Sequence, residues 1–256
     1  MDTKDFSKAQ GHWILARMGK KVLRPGGKEL TQKLVAALEI SSEDNIVEFA
    51  PGLGFTASLA LKKQPKTYVG IDADEDAVDM LQHKLKGNNI QFVLANASST
   101  KLSDNSKDKV WGEAMLTMHN DHRKSEIIRE AHRILKKGGL YAIHELGLVD
   151  VNETSKSEIQ KDLAFSIKVN ARPLTESEWK ELLEKEGFSV KKVFTNQMLL
   201  LETRRILDDE GWLGTLKIGM NVLLNPAAMK RIVEMRSVFQ KHQRNMNAIA
   251  IVAEKN

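Results

Sequence analysis

A glycine-rich segment, Ala50-Pro51-Gly52-Leu53-Gly54, lies between an apolar run and a helical pattern, with Glu48 just before it. Such a turn lets the backbone approach a ligand closely, with free N–H groups at the start of the following helix. Asp72 ends the next apolar run, where a carboxylate can accept hydrogen bonds from both hydroxyls of a ribose. Each feature alone also occurs in purely structural turns. Together they predict a site for a nucleoside cofactor.

The charge beside this turn bears on which cofactor it takes. Gly52, Gly54 and Ala57 also fit the dinucleotide fingerprint, so a nicotinamide-dependent oxidoreductase stays open. A dinucleotide brings an anionic pyrophosphate to the turn, whereas S-adenosylmethionine brings a sulfonium and an ammonium. We expect the Glu48 carboxylate, at the mouth of the turn, to repel the former and favour the latter. A solvated strand-end charge is the alternative for Glu48, but Val47 and Phe49 flank it in a buried run.

Residues 45–145 resemble a known family on three motifs. These are the acidic-plus-glycine turn from Glu48 to Gly54, the ribose-binding strand end Gly70-Ile71-Asp72, and Arg133 to Gly139, which is similar to an Arg-x-Leu-x-Pro-Gly-Gly turn with Lys137 in place of Pro. The stretch resembles the class I S-adenosylmethionine-dependent methyltransferases. Within them it is similar to the broad group related to ubiquinone/menaquinone-biosynthesis methyltransferases.

The resemblance implies S-adenosyl-L-methionine as the cofactor. It places Ala73 against the adenine and Asn96-Ala97 at the adenine edge, with Asn96 where the family has Asp. Glu113 lies in the last part of the fourth strand, where these enzymes bring the methyl group and the substrate together. The expected cofactor-binding residues are therefore Glu48, Ala50, Gly52, Gly54, Asp72, Ala73, Asn96, Ala97 and Glu113, and no metal site is expected.

Methyl transfer needs positioning and, for some acceptors, removal of a proton. His119 follows the fourth strand, and an imidazole titrates near neutral pH. His144 and Glu145 end the fifth strand, at the same carboxyl edge of a parallel sheet. We predict His119, His144 and Glu145 as catalytic residues; an exposed or helix-capping role is favoured for any single histidine, but the group as a whole favours one of them in the acceptor pocket.

Composition excludes several classes of protein. The chain has 256 residues and no cysteine, which excludes disulfides, thiolate metal centres and cysteine nucleophiles, including cytosine C5 methylation. The fourth strand lacks an Asn/Asp-Pro-Pro-aromatic motif for nucleobase amino groups. A net charge of +5 from interspersed residues predicts no nucleic-acid partner. No apolar run is long enough for stable membrane insertion, and the polar start, Met1 to Phe6, predicts a cytoplasmic location.

The expected function is transfer of a methyl group to a small, partly apolar acceptor. A non-catalytic protein that binds S-adenosylmethionine is an alternative, as is the oxidoreductase, and a homodimer is possible.

Apolar runs alternate with helical patterns, which predicts an α/β fold. We expect a Rossmann-like, seven-stranded, mostly parallel sheet with helices on both faces and the last strand antiparallel. Strands are predicted at 45–49, 67–72, 90–94, 109–116, 140–146, 188–195 and 247–254, and helices at 29–38, 56–63, 75–86, 121–137, 175–186 and 225–243. The domains are an N-terminal segment (1–27), the cofactor-binding core (28–195), a helical cap (196–246) and the last core strand (247–256). The cap is either extra packing or a substrate lid.

Overall fold

A single mixed sheet organises the protein. The structure is a computed structural model that describes residue 6 and residues 9–256, so residues 1–5, 7 and 8 of the predicted N-terminal segment lie outside the described residues. The strands are β1 (Asn45–Phe49), β2 (Thr67–Asp72), β3 (Ile90–Leu94), β4 (Lys107–Glu113), β5 (Leu135–Leu148), β6 (Leu174–Thr175), β7 (Phe188–Gln197) and β8 (Met246–Lys255). The helices are α1 (Gly11–Arg17), α2 (Gly27–Ala37), α3 (Phe55–Leu61), α4 (Glu75–Lys84), α5 (Asp121–Ile134), α6 (Glu153–Ile167), α7 (Glu176–Lys185), α8 (Thr203–Leu223) and α9 (Pro226–Lys241).

The strand order is β3-β2-β1-β4-β5-β8-β7. Strands β1 to β5 pair in parallel, and β8 runs antiparallel to both of its neighbours. The predicted Rossmann-like α/β fold and the antiparallel last strand are therefore confirmed. The two-residue β6, which pairs with β5 off the main path, is an addition to the seven predicted strands.

The strand order reverses between β1 and β4, and this reversal positions the site. In open α/β sheets a crevice forms at such a point, beyond the carboxyl ends of the strands. Side chains alternate along β1: Val47 and Phe49 join the hydrophobic core on one face of the sheet, and Ile46 joins the core on the other. The crevice therefore rests on a sheet that is packed on both faces.

Several elements differ from the predicted ones. Helix α5 ends at Ile134 rather than Lys137, because Leu135 adopts extended backbone (φ −71°, ψ 142°) and opens β5. Strand β4 stops at Glu113 because Ala114 has a φ of 53°, and a 3-10 turn, Leu116–Met118, follows. Helix α6 was not predicted at all.

The predicted cap corresponds to α8 and α9, which lie between β7 and β8. Helix α9 packs on α1 and α6, and α8 packs on α2 and α9. Met235 and Phe239 are buried as expected of the inner face of α9, whereas Met229 and Val233 are exposed. Among the described residues, no helix is both long and apolar enough to cross a membrane.

Candidate active site

A cleft of about 520 Å³ opens at the carboxyl ends of β1, β2 and β4. This volume is within the range of small-molecule sites. Seven of the residues predicted to bind the cofactor line it: Ala50, Gly52, Asp72, Ala73, Asn96, Ala97 and Glu113. The structure therefore brings together residues from four segments that are separate in the sequence.

The two glycines of the turn have different tasks. Gly52 has a φ of 56°, and a Cβ built there would meet only the Ala50 carbonyl oxygen, at 3.9 Å, so the turn leaves open space on the cleft side. Gly54 has a φ of 75° and begins α3, where a Cβ would lie 2.4 Å from Leu81 Cδ2. Gly54 is not among the residues that line the cleft; it allows α3 to pack closely on α4.

Asp72 joins the turn to the end of β2. The Gly52 N–H donates to its Oδ2 (3.2 Å), and the Asp74 N–H donates to its Oδ1 (3.1 Å). Burial raises the pKa of Asp72, and these backbone donors oppose that rise. Each carboxylate oxygen keeps a lone pair for a further donor. The group can therefore accept hydrogen bonds from ribose hydroxyls while it shapes the turn.

Glu48 lies behind the turn rather than at its mouth. Its side chain is buried, and Tyr68 Oη donates to Oε2 at 2.7 Å. Burial raises the pKa of Glu48 to about 8, against the opposing effects of Tyr68 and Arg24. Burial therefore disfavours the charged form of Glu48, on which the predicted repulsion of a pyrophosphate depends. Glu48 also does not line the cleft.

Glu113 is the centre of a buried ionic network. Its carboxylate accepts hydrogen bonds from Thr31 Oγ1 (2.6 Å) and from Thr56 Oγ1. Arg24 Nε lies 3.0 Å from Oε1, and His144 Nδ1 lies 2.7 Å from Oε2. Burial alone would raise the pKa of Glu113, but these partners hold it at about 2. The network ties β4 to the chain segment that precedes α2.

His144 is part of this network. It is fully buried, and its Nε2 lies 2.5 Å from the Pro25 carbonyl oxygen, while Nδ1 faces Glu113. Both ring nitrogens of His144 are therefore engaged within the protein. His144 lines neither of the cavities described here. Its place does not support the predicted contact with an acceptor, and we treat it as a positioning residue.

Glu145 holds the 3-10 turn that follows β4. Its carboxylate oxygens accept the N–H groups of Met115 (3.1 Å), Leu116 (2.8 Å) and Thr117 (3.0 Å), together with Thr117 Oγ1 (2.7 Å). Burial raises the pKa of Glu145, and these donors oppose the rise. Glu145 does border a cavity, but its oxygens are already engaged.

His119 lines the cleft and is half-buried. Burial, with Arg123 and Lys124 nearby, lowers its pKa, so the ring is neutral at pH 7. Its side chain makes no hydrogen bond within the part of the chain that the structure describes. A neutral, unengaged imidazole in a ligand-sized cleft is able to accept a proton.

His12, on α1, was not among the predicted site residues. It borders the cleft, and burial lowers its pKa while Asp74 partly offsets the effect. The sequence carried little signal for this placement, because it depends on α1 folding back over the sheet edge.

A second cavity, of about 90 Å³, adjoins the cleft beneath α1, α6 and α9. Its wall is almost entirely apolar, with Leu163, Met235 and Phe239 among the lining residues. Five residues line both cavities: His12, Leu23, Ala114, Met118 and Val169. A polar cleft and an apolar cavity therefore share one wall.

Comparisons with known proteins agree with this geometry. The family model described as "Methyltransferase domain" matches residues 47–143. An uncharacterized protein of Haemophilus influenzae is 35% identical over 252 residues, which are 96% of this chain and 98% of the relative.

Two solved structures share the fold. The cyclopropane synthase MmaA2 of Mycobacterium tuberculosis has a TM-score of 0.73 at 14% identity, with 100% of both chains covered. A phosphoethanolamine N-methyltransferase of Haemonchus contortus, in complex with phosphomonomethylethanolamine and S-adenosylhomocysteine, has a TM-score of 0.69 at 18% identity and covers 95% of this chain and 56% of its own. The chain therefore belongs to the class I S-adenosylmethionine-dependent methyltransferases, with S-adenosylmethionine as its cofactor.

Proposed function

We propose that the protein transfers a methyl group from S-adenosylmethionine, bound in the cleft, to a small, partly apolar acceptor in the adjoining cavity. The observation that carries this proposal is the shared wall between the two cavities. A cofactor in the cleft and an acceptor in the cavity would lie next to each other at the five residues that line both. Membership of this family does not favour the two alternatives, a nicotinamide-dependent oxidoreductase and a non-catalytic protein that binds S-adenosylmethionine.

The cleft residues fit the cofactor. Asp72 offers carboxylate oxygens to the ribose hydroxyls, Gly52 leaves room for close approach, and Asn96 and Ala97 border the place expected for the adenine. When bound, S-adenosylmethionine supplies a methyl group on a positively charged sulfur, which is a good leaving group. The protein's own task is then to align the acceptor and exclude water.

Two histidines supply the proton chemistry, one in the cleft and one at the shared wall. His119 is the neutral imidazole of the cleft and accepts a proton from an acceptor O–H, N–H or S–H as the new bond to carbon forms. His12 lies at the shared wall as a second candidate base. The apolar lining favours an acceptor that buries hydrocarbon surface and presents its nucleophilic atom towards this wall.

A screen with cofactor labelled in the methyl group tests the proposal. Phenols, thiols, amines and quinols are offered as acceptors, and label in the acceptor is measured. Ile167→Asp places a charge in the wall of the apolar cavity, and Asn170→Asp places one on an exposed neighbour as the matched control. We expect Ile167→Asp to lose transfer at least tenfold while S-adenosylhomocysteine still binds, and Asn170→Asp to behave as wild type. Equal transfer by wild type and Ile167→Asp would remove the cavity from the acceptor site.

A further inference from the structure

Helix α8 changes direction at Gly211, whose backbone is non-helical (φ 73°, ψ 174°). After this kink the helix packs one face on the molecule. Ile218 is buried in a cluster with Ile14, Met18 and Ala228. Asn221 Nδ2 also donates to the Met18 carbonyl oxygen at 2.9 Å. This part of α8 is therefore fixed in place by α1 and α9.

The opposite face of the same helix segment is apolar and exposed. Its large side chains recur at the three- and four-residue spacing of one helix face, and each is at least half exposed. Two residues of α9, the helix that packs on α8, are exposed as well. We call this patch the α8–α9 apolar surface; its members are Trp212, Leu213, Leu216, Met220, Leu223, Leu224, Met229 and Val233.

The size of this surface calls for a partner. From the exposed fractions and ordinary side-chain areas, it amounts to roughly 1,000 Å², against about 300–600 Å² for the largest apolar patch of a typical monomer. Apolar surface of this extent favours removal from water.

Charge indicates which partner. Residues 211–233 include Lys217, Lys230 and Arg231 but no Asp or Glu. Arg231 is buried and lies 3.8 Å from Glu234. Lys217 and Lys230 are exposed, and neither forms an ion pair with any residue that the structure describes. Two copies joined through this surface would bring these lysines together, and Glu234, at the edge of the surface, already pairs with Arg231. Anionic lipid headgroups supply the missing negative charge.

We propose that the α8–α9 apolar surface docks on an anionic lipid bilayer. Helix α8 lies in the plane of the interface, its leucines and Trp212 enter the boundary between headgroups and acyl chains, and the lysines meet lipid phosphates. This is docking and not spanning. Helices α1 and α9, which support α8, also wall the apolar cavity, and Ile232 contacts both clusters. Docking thus places the helices that wall the apolar cavity close to the lipid.

Flotation with vesicles tests this inference without any methyl transfer. The protein is mixed with vesicles of phosphatidylcholine alone or of equal parts phosphatidylcholine and phosphatidylglycerol. Leu213→Glu/Leu224→Glu disrupts the surface, and Leu94→Glu, on β3, is a matched control at another exposed leucine. Lys217→Glu/Lys230→Glu tests the charges separately. Titration with S-adenosylhomocysteine verifies that each variant is folded and reports on the proposed function independently.

We expect at least tenfold more wild-type protein on the anionic vesicles than on the neutral ones, with binding weakened by salt. Both double variants should lose at least tenfold of this binding, while Leu94→Glu retains it. Trp212 is far more exposed than Trp111 or Trp179, so its emission should shift to shorter wavelength on binding and the shift should vanish in Trp212→Phe. Absence of vesicle binding would overturn the inference. So would equal binding by Leu213→Glu/Leu224→Glu, or a wild-type dimer that this variant converts to a monomer without any vesicle effect.

Discussion

The Glu113 carboxylate is the centre of the buried network beside the cleft, and its replacement tests how much this network stabilises the protein. Glu113→Gln keeps the shape of the side chain but removes the charge. Arg24, which is buried, then loses its ionic partner, and His144 faces an amide instead of a carboxylate. Removal of one partner from a buried ion pair costs about 3–5 kcal/mol of folding free energy.

The pKa of Glu113 gives a second value for this cost. The difference between its ordinary value of 4.5 and about 2 in the folded protein corresponds to about 3 kcal/mol at neutral pH. Because the folded pKa is the lower one, this stabilisation is complete above the unfolded pKa and is lost as pH falls towards 2. The advantage of wild type over Glu113→Gln should shrink by about 1 kcal/mol at pH 4 and about 2 kcal/mol at pH 3.

Urea unfolding from pH 7 to pH 3 measures the difference, and Glu75→Gln, an exposed glutamate on α4, is the control. We expect Glu113→Gln to lose about 3–5 kcal/mol at pH 7 and Glu75→Gln to stay within about 0.5 kcal/mol of wild type. Affinity for S-adenosylhomocysteine should also fall, because Arg24 lines the cleft. If Glu113→Gln lowers the free energy of unfolding by less than about 1 kcal/mol at pH 7, or if its difference from wild type does not change with pH, the reasoning is refuted.

Three further predictions concern the base, the turn and the cap. His119→Ala should lower kcat for acceptors that must lose a proton. It should also abolish the acidic limb of the pH–rate profile, which lies below pH 6.5 because burial lowers the pKa of His119. The control His122→Ala, at an exposed histidine nearby, should change neither kcat nor the profile. Gly54→Ala should cost roughly 2–4 kcal/mol in urea unfolding, from a positive φ and a clash, whereas Gly138→Ala, with a similar φ but open space, should cost about 1–2. If α8 and α9 form a lid, their hydrogen exchange should slow on addition of S-adenosylhomocysteine while that of β1 stays constant; equal protection with and without ligand would leave the cap as packing only.

The central strands could be predicted from the sequence because their signals are local. The runs at β1, β2 and β3 are short, apolar and bounded by turn residues, and the structure has them at the predicted bounds. The helix predicted at 175–186 is also present as α7, and a capping box of Thr175 and Glu178 starts it. Helix α6 has only a weak apolar stripe, with Ile159 and Leu163 among its few buried residues, so periodicity did not reveal it.

The roles at the end of β5 were harder to predict. His144 and Glu145 were assigned to one pocket because both close the same strand. Consecutive strand residues point to opposite faces of the sheet, so the two side chains enter different surroundings. His144 meets Pro25 and Glu113, and Glu145 meets the 3-10 turn. These partners come from distant segments, which the local sequence does not specify.

Calorimetric titration of S-adenosylhomocysteine into wild type and Asp72→Ala tests the central claim most directly, with Asp79→Ala, an exposed aspartate on α4, as control. The account predicts binding by wild type, a loss of about 10- to 150-fold in Asp72→Ala from a missing charged acceptor worth about 1.5–3 kcal/mol, and no change in Asp79→Ala. An unchanged dissociation constant in Asp72→Ala, or a wild type that binds NAD and not S-adenosylhomocysteine, would contradict it.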